Sequence, residues 1–270
     1  MSARELTDRV RIERFLREDA VENAFQLGYL DEDYASLCRW FGWSHDDALR
    51  TVVLVYSGLS RPGLFTSGDF AGIRPILKEF EHQLPERATG HIGRLHLDSV
   101  RATYRENGEL NRMSRMGLMR DDWRDVDPES SSVVRLDHSD TAAIMALYAH
   151  WPDNFFEPYQ LESGLYFGVR LADGRLVSIA GVHNLSERYD IAAIGNLVTH
   201  PEHRGHGYAR VCTAALLRAA FTRVRQVTLD VQQGNEPAIR TYRHFGFRHF
   251  SEFFEGELVR RSGPWSMTDE

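Results

Sequence analysis

Apolar positions change their spacing several times along this chain, and each change predicts an element. From Val10 to Trp43 they fall at helical intervals: Ile12, Phe15, Leu16, then Ala24, Phe25, Leu27, and later Tyr34, Leu37, Trp40 and Phe41. That pattern predicts core-facing helices broken at Gly28. The run Thr51 to Tyr56, TVVLVY, is β-branched and apolar and reads as a strand. Phe70 to Gln83 returns to helical spacing; His91 to Leu97 predicts a strand, Ser99 to Tyr104 a helix, and Leu110 to Met119 another strand. The first half is therefore α/β.

Arg120 to Ser132, RDDWRDVDPESSS, breaks this rhythm with acidic charge, a proline and three serines, the composition of a linker. The expected division is an N-terminal α/β domain over 1–125, a linker at 126–132 and a second domain over 133–270. The second half predicts a strand at Val133 to Leu136, a helix capped near Ser139 or Asp140 and ending at Ala149, and a short helix between Trp151 and Leu161. Strands at Leu165 to Leu171 and Arg175 to His183 flank Ala172-Asp173-Gly174, whose Asp-Gly pair is a hairpin signal. Ile191 to Val198 is a further apolar strand. Tyr208 to Thr222 is helical, Gln226 to Val231 a strand, Glu236 to Phe245 a helix stopped by Gly246-Phe247, and Arg248 to Phe254 a last strand. No internal repeat shows at the level of residues.

Composition narrows the function classes. A net charge of -7 lacks the basic excess that nucleic-acid binding draws on, so no nucleic-acid partner is expected. No apolar run approaches a membrane span, and Met1 leads into charged amphipathic sequence where a signal peptide needs an apolar core. The two cysteines, Cys38 and Cys212, are too few for a disulfide framework or a thiolate metal site and fit a reducing compartment. These features predict a cytoplasmic protein with no membrane partner.

The richest chemistry lies in His200-Pro201-Glu202-His203-Arg204-Gly205-His206-Gly207-Tyr208-Ala209. Three histidines could supply metal ligands, but Pro201 and the two glycines make the segment a turn, and no zinc-enzyme spacing such as H-E-x-x-H is present. A Walker loop needs a lysine that this segment lacks, Lys78 being the chain's only one. A dinucleotide fingerprint would need a small residue at Arg210 and an acid about twenty residues on, near Asp230. What remains is a strand, a glycine turn and a long helix. Consecutive backbone amides and a helix N-terminus can bind a phosphate there without a lysine. A plain strand-to-helix connection would look much the same.

Arg204-Gly205-His206-Gly207-Tyr208-Ala209 matches the [QR]-x-x-G-x-[GA] signature and resembles the GNAT superfamily of acyl-CoA-dependent N-acetyltransferases. Ile194 to His203, IGNLVTHPEH, resembles that family's strand and V-x-P lead-in. Asn235, Ala238, Tyr242 and Gly246-Phe247 fall in the order of its N-x-x-A-x-x-x-Y-x-x-x-G-F motif. The resemblance runs from Val133 to Phe254 and is strongest to bacterial members with an extra N-terminal region. It implies a C-terminal GNAT fold, a mixed α/β sheet splayed at its centre, behind a smaller α/β domain. That domain could cover the acceptor pocket, form a degenerate second copy of the fold, or mediate a homodimer. The nearest it has to the second glycine turn, Ser67 to Gly72, shows no matching strand lead-in, so it is not expected to bind CoA.

The resemblance further implies acetyl-CoA as co-substrate and an amine of a small molecule or peptide as acceptor. Leu197, Val198 and Thr199 would meet the pantetheine arm. Amides from Arg204, Gly205, His206, Gly207, Tyr208 and Ala209 would meet the pyrophosphate, with His203 or Arg204 adding a side chain. Asn235 would bond the pantetheine or the amine, and Tyr242 would give a proton to the departing sulfur, although a helix aromatic packed on a sheet would occupy the same position. Many members carry a carboxylate where this chain has Ala192, with Asp190 just before it. His183 and Glu202 are the replacement candidates for a base. Trp151, Asn154, Phe155, Phe156, Tyr166 and Phe167 are candidates for the acceptor pocket, and equally for core.

Overall fold

The computed structural model describes residues 2–125, 132–151 and 156–261. In chain order these form β1 (Ser2–Leu6), α1 (Arg9–Leu16), α2 (Ala24–Tyr29), β2 (Cys38–His45), β3 (Ala48–Tyr56), β4 (Gly63–Gly68), α3 (Ile73–Glu79), β5 (Arg87–Gly93), α4 (Leu97–Arg101), β6 (Tyr104–Glu106) and β7 (Asn111–Met119). There follow β8 (Val133–Arg135), α5 (Thr141–Tyr148), β9 (Phe167–Arg170), β10 (Leu176–Ser186), β11 (Ile191–Thr199), α6 (Tyr208–Ala220), β12 (Gln226–Gln232), α7 (Glu236–Phe245) and β13 (Arg248–Arg260).

Two compact units result, Met1–Ser114 with Ser251–Glu270, and Arg115–Phe250. Composition alone suggested a cut at 126–132, of which 126–131 lie outside the described residues. The first unit takes in the chain's C-terminal stretch as well as its N-terminal half. The chain's last strand returns to it, because Phe253 to Val259 pair in register with Gly93 to Arg87. That pairing also carries β13 to Arg260, beyond the expected end at Phe254.

Each unit repeats one plan. In the first, β1, β2, β3 and β4 pair antiparallel in sequence order, and β4 then pairs parallel with β5. In the second, β8, β9, β10 and β11 do the same and β11 pairs parallel with β12. A helix joins the parallel strands in both, α3 in one and α6 in the other, and a second helix, α4 or α7, follows the fifth strand. A parallel pair needs such a crossover, whereas antiparallel neighbours can turn directly. The repeat is one of topology, which explains why residue patterns do not show it.

Local sequence accounts for many element ends. Asp8 caps α1 by accepting from the Arg11 amide at 3.1 Å. Gly246, at φ 104°, stops α7: its amide bonds the Arg243 carbonyl and that of Phe247 bonds the Tyr242 carbonyl, each at 3.1 Å. Elsewhere pairing overrides pattern. Trp40 and Phe41, expected on a helix, lie on β2 opposite Leu54 and Val53, and Gly28 sits inside α2 instead of breaking it. The strand expected at His91 to Leu97 is Arg87–Gly93, and the helix after it is Leu97–Arg101. β1 and β4 were not predicted; β4 supplies the strand lead-in to Ser67-Gly68 that the sequence did not reveal.

Among the described residues, no helix is long and apolar enough to cross a membrane. The second unit's core contains Ile144, Leu161, Tyr166, Ile194, Leu216, Phe245 and Tyr242, and the first unit's Phe41, Val53, Leu64, Ile76, Ile92 and Tyr104.

Candidate active site

The splay between β11 and β12 defines the site. The two strands pair only from Ile191 to Ile194 against Gln226 to Leu229, after which β11 continues to Thr199 and β12 to Gln232. Beyond the last pair, Leu197, Val198 and Thr199 follow a bulge: Gly195 faces Gly181 and Val198 faces Ile179, so β11 spends one more residue than β10. Asn196 sits in the bulge at φ 52°, left-handed backbone that asparagine tolerates better than most side chains.

Its side chain fixes that conformation. Asn196 Oδ1 accepts from the Tyr148 hydroxyl at 2.7 Å, while Nδ2 donates to the Tyr166 hydroxyl at 2.5 Å and to Gln160 Oε1 at 3.1 Å. Burial pushes both phenols well above the ordinary tyrosine range, so they stay protonated. Phe156 stacks on Tyr148 and meets Tyr166 edge-on. Tyr166 and Phe156 thus belong to a packed polar-aromatic wall, and Phe167 is likewise buried. Asn154 and Phe155 lie outside the described residues.

The turn after β11 is open and uncapped. Gly205 and Gly207 adopt φ 78° and 79°, and a Cβ built on either meets no atom within 4 Å. Gly207 is the N-cap of α6 and offers no side chain, so the first amides of Tyr208 and Ala209 keep no capping partner. The histidines brace this loop from within. His206 Nδ1 lies 2.9 Å from the Arg204 carbonyl and 3.2 Å from that of His203, and its ring stacks on Tyr208. His200 Nδ1 accepts from the Glu202 amide at 3.3 Å, and its ring contacts those of His150 and His203. Burial and the neighbouring His150 lower the His200 pKa. Arg204 lies over the Trp151 ring, 4.3 Å from its centroid. Among the described residues, no group of three His, Cys, Asp or Glu could hold a metal ion.

The remaining nominees lie apart. Tyr242 on α7 is buried, its hydroxyl pushed up to about 12 by desolvation. Asn235 caps the same helix, its Oδ1 accepting from the Ala238 amide at 3.3 Å. Glu202 is exposed on the short 3-10 turn Pro201–His203. Ala192, in the place of the family carboxylate, is fully buried, and Asp190 is engaged by the Arg225 amide and guanidinium.

His183 packs against Gly195, where a Cβ would fall 1.9 Å from His183 Nε2. Its Nδ1 lies 3.5 Å from Gln160 Nε2. Gln160 Oε1 already faces Asn196 Nδ2, Tyr166 and the Glu157 amide, so its NH2 points at the ring. Nδ1 can accept from that NH2. Tyr242 on α7, His183 on β10 and Glu202 on the 3-10 turn thus come from three separate elements. Asp230, the acid a dinucleotide site would need, is held at both oxygens by buried Arg115, at 2.8 and 2.9 Å.

Sequence reasoning missed the Tyr148, Gln160, Tyr166 and Asn196 network. Its one visible sign is a lone asparagine inside the apolar run IAAIGNLVT.

Residues 118–247 match the family model described as the acetyltransferase (GNAT) family. No curated protein matches the chain by sequence. Among solved structures, a GCN5-related N-acetyltransferase from Sphaerobacter thermophilus is similar at 16% identity and a TM-score of 0.61, over 98% of each chain. A tandem GNAT protein from the clavulanic acid biosynthesis pathway is similar at 12% identity and a TM-score of 0.60, covering 97% of this chain and 99% of its own. A Drosophila protein reaches a TM-score of 0.70 at 14% identity, over 96% of this chain and 97% of its own. At these identities the likeness is one of fold, and it extends across both units.

Proposed function

We propose, from the match of residues 118–247 to the acetyltransferase (GNAT) family model, an N-acetyltransferase that moves the acetyl group of acetyl-CoA to an amine of a small molecule or of a protein. The observation that carries this reading is the opening of β11 from β12 after Ile194, leading into an uncapped glycine turn. Such a slot fits a long polar arm ending in phosphates: unpaired strand groups line it, and free helix amides with open space above both glycines close its end.

When bound, acetyl-CoA supplies a thioester whose carbonyl carbon bonds the amine nitrogen as the carbon–sulfur bond breaks. Leu197, Val198 and Thr199 hold the arm through backbone groups, and an amide from the Leu197–Val198 region polarises the carbonyl. The amides of Arg204 to Ala209 hold the pyrophosphate, with His203 or Arg204 adding a side chain. Asn235 has its oxygen in the α7 cap, which leaves its NH2 for the pantetheine. Tyr242 keeps its proton at neutral pH and donates it toward the departing sulfur.

The acceptor must also lose a proton. His183 on β10 and Glu202, exposed beside the loop, are the groups that take this proton and pass it to solvent. A second reading, a catalytically silent CoA-binding module, draws on buried Ala192 and the engagement of Asp190 by Arg225. The free thiols Cys38 and Cys212 fit a cytoplasmic setting.

Thiol release from acetyl-CoA across an amine panel tests the proposal: acceptor-dependent release is expected, and CoA binding without release on any amine favours the silent module. With a responsive amine, Tyr242→Phe is expected to lower kcat by about tenfold to a hundredfold while leaving acetyl-CoA affinity unchanged. An unchanged rate removes Tyr242 as the proton donor.

A further inference from the structure

The repeated plan gives the first unit its own place for a splay, after the last β4–β5 pair, Phe65 with His91. That gap is filled by the chain itself. The Gly93 amide donates to Thr66 Oγ1 at 3.1 Å, the Thr66 hydroxyl meets His96 Nδ1 at 2.8 Å, and His96 Nε2 meets the Gly68 carbonyl at 3.0 Å. One protonation pattern satisfies all three bonds. Nε2 carries the proton and donates to Gly68, while Nδ1 accepts from Thr66. His96 is 5% exposed and packs so closely over Gly93 that a Cβ there would lie 2.8 Å from Nδ1.

His96 comes from the N-cap position of α4, the position that Asn235 holds before α7 in the second unit. Asn235 turns its oxygen to its own helix. His96 instead reaches between the diverging strands and bridges them.

The turn that follows is closed as well. β4 ends at Gly68, whose φ is 90°, and a Cβ there would fall 2.2 Å from the Arg50 carbonyl and 2.6 Å from the Phe15 ring. Asp69 returns its side chain to the Ala71 amide, and its carbonyl accepts from Thr51 Oγ1 at 2.6 Å. The Asp69, Ala71 and Gly72 amides are thus committed within the unit, whereas Gly205 and Gly207 face open space.

Resting on the CoA reading of the second unit, we infer that the first unit is a copy of the same fold whose cofactor slot is sealed by His96 and Thr66, so that one chain takes one acetyl-CoA. The first unit serves as a closed scaffold, and the second alone as the binding unit.

Calorimetric titration of acetyl-CoA into the full chain tests this, paired with amide hydrogen exchange of the free and bound protein. The expected result is one equivalent, lost in Gly207→Trp, with ligand-dependent protection over 196–209 and none over 66–96. A second equivalent, one equivalent persisting in Gly207→Trp, or protection over 66–96 would overturn the inference. The wild-type exchange data carry the test even where the tryptophan variant fails to fold. Absence of any binding would overturn the proposed function instead and agree with a sealed first unit.

Discussion

Asn196 combines two costs that its neighbours offset. Its backbone stands at φ 52°, and its side chain holds three hydrogen bonds in a half-buried wall. Asn196→Ala keeps the strained backbone, removes the bonds and strands the Tyr148 hydroxyl; the expected loss is about 2–3 kcal/mol, from roughly 1 kcal/mol for the left-handed residue and the rest for the bonds. Asn196→Gly removes the same bonds but tolerates the backbone, so it should cost less by about 1 kcal/mol. Urea unfolding of the two variants measures that gap. Equal losses would mean that the bulge relaxes and the dihedral carries no strain. None of this was legible beforehand, because the partners lie 48, 36 and 30 residues away in sequence. By contrast, Gly246-Phe247 was legible as a helix stop, since its bonds are completed within a few residues of chain.

At the level of elements the same distinction holds. Helix α7 was predicted at its observed limits, Glu236–Phe245, and the Asp173-Gly174 hairpin between β9 and β10 was found from its turn. β4 was missed because GLFTSG carries a glycine at each end and reads as a turn until β3 pairs with it along its length. Trp40 and Phe41 fit a helical spacing equally well, and their register with β3 decides the matter. For α6 the decisive residue is Gly207, and two substitutions separate its backbone role from its proposed ligand role. Gly207→Ala places a side chain at φ 79° and is expected to lower both stability and acetyl-CoA affinity, the latter by at least about tenfold. Gly207→Asn tolerates that φ, so it should recover most of the stability while still weakening the ligand. Thermal melts with and without acetyl-CoA read both quantities; an Asn variant that binds as tightly as wild type would show that the space above this glycine is not where the phosphates lie.

Across the whole molecule, the two units share a plan but differ in what occupies the fork between their parallel strands, and pH should tell them apart. Burial lowers the His96 pKa from its ordinary value of 6.5, outweighing the Gly68 hydrogen bond and the Asp69 charge, both of which raise it. The folded first unit therefore binds the proton less readily than the unfolded chain. Its stabilisation from neutral His96 is complete above about pH 6.5 and is lost as pH falls from there toward the lowered folded value. Acid also adds a proton at Nδ1, where the Thr66 hydroxyl now donates, so the first bond to go is the one closing the fork. Amide exchange at pH 7 and pH 5, corrected for intrinsic rates, should show protection falling around 66–96. His96→Gln, which keeps a polar side chain but cannot titrate, is expected to be less stable at pH 7 and to lose little more on acidification. A variant with the wild-type pH dependence would place the acid sensitivity elsewhere, and the neutral histidine would then cease to be the latch of the first unit.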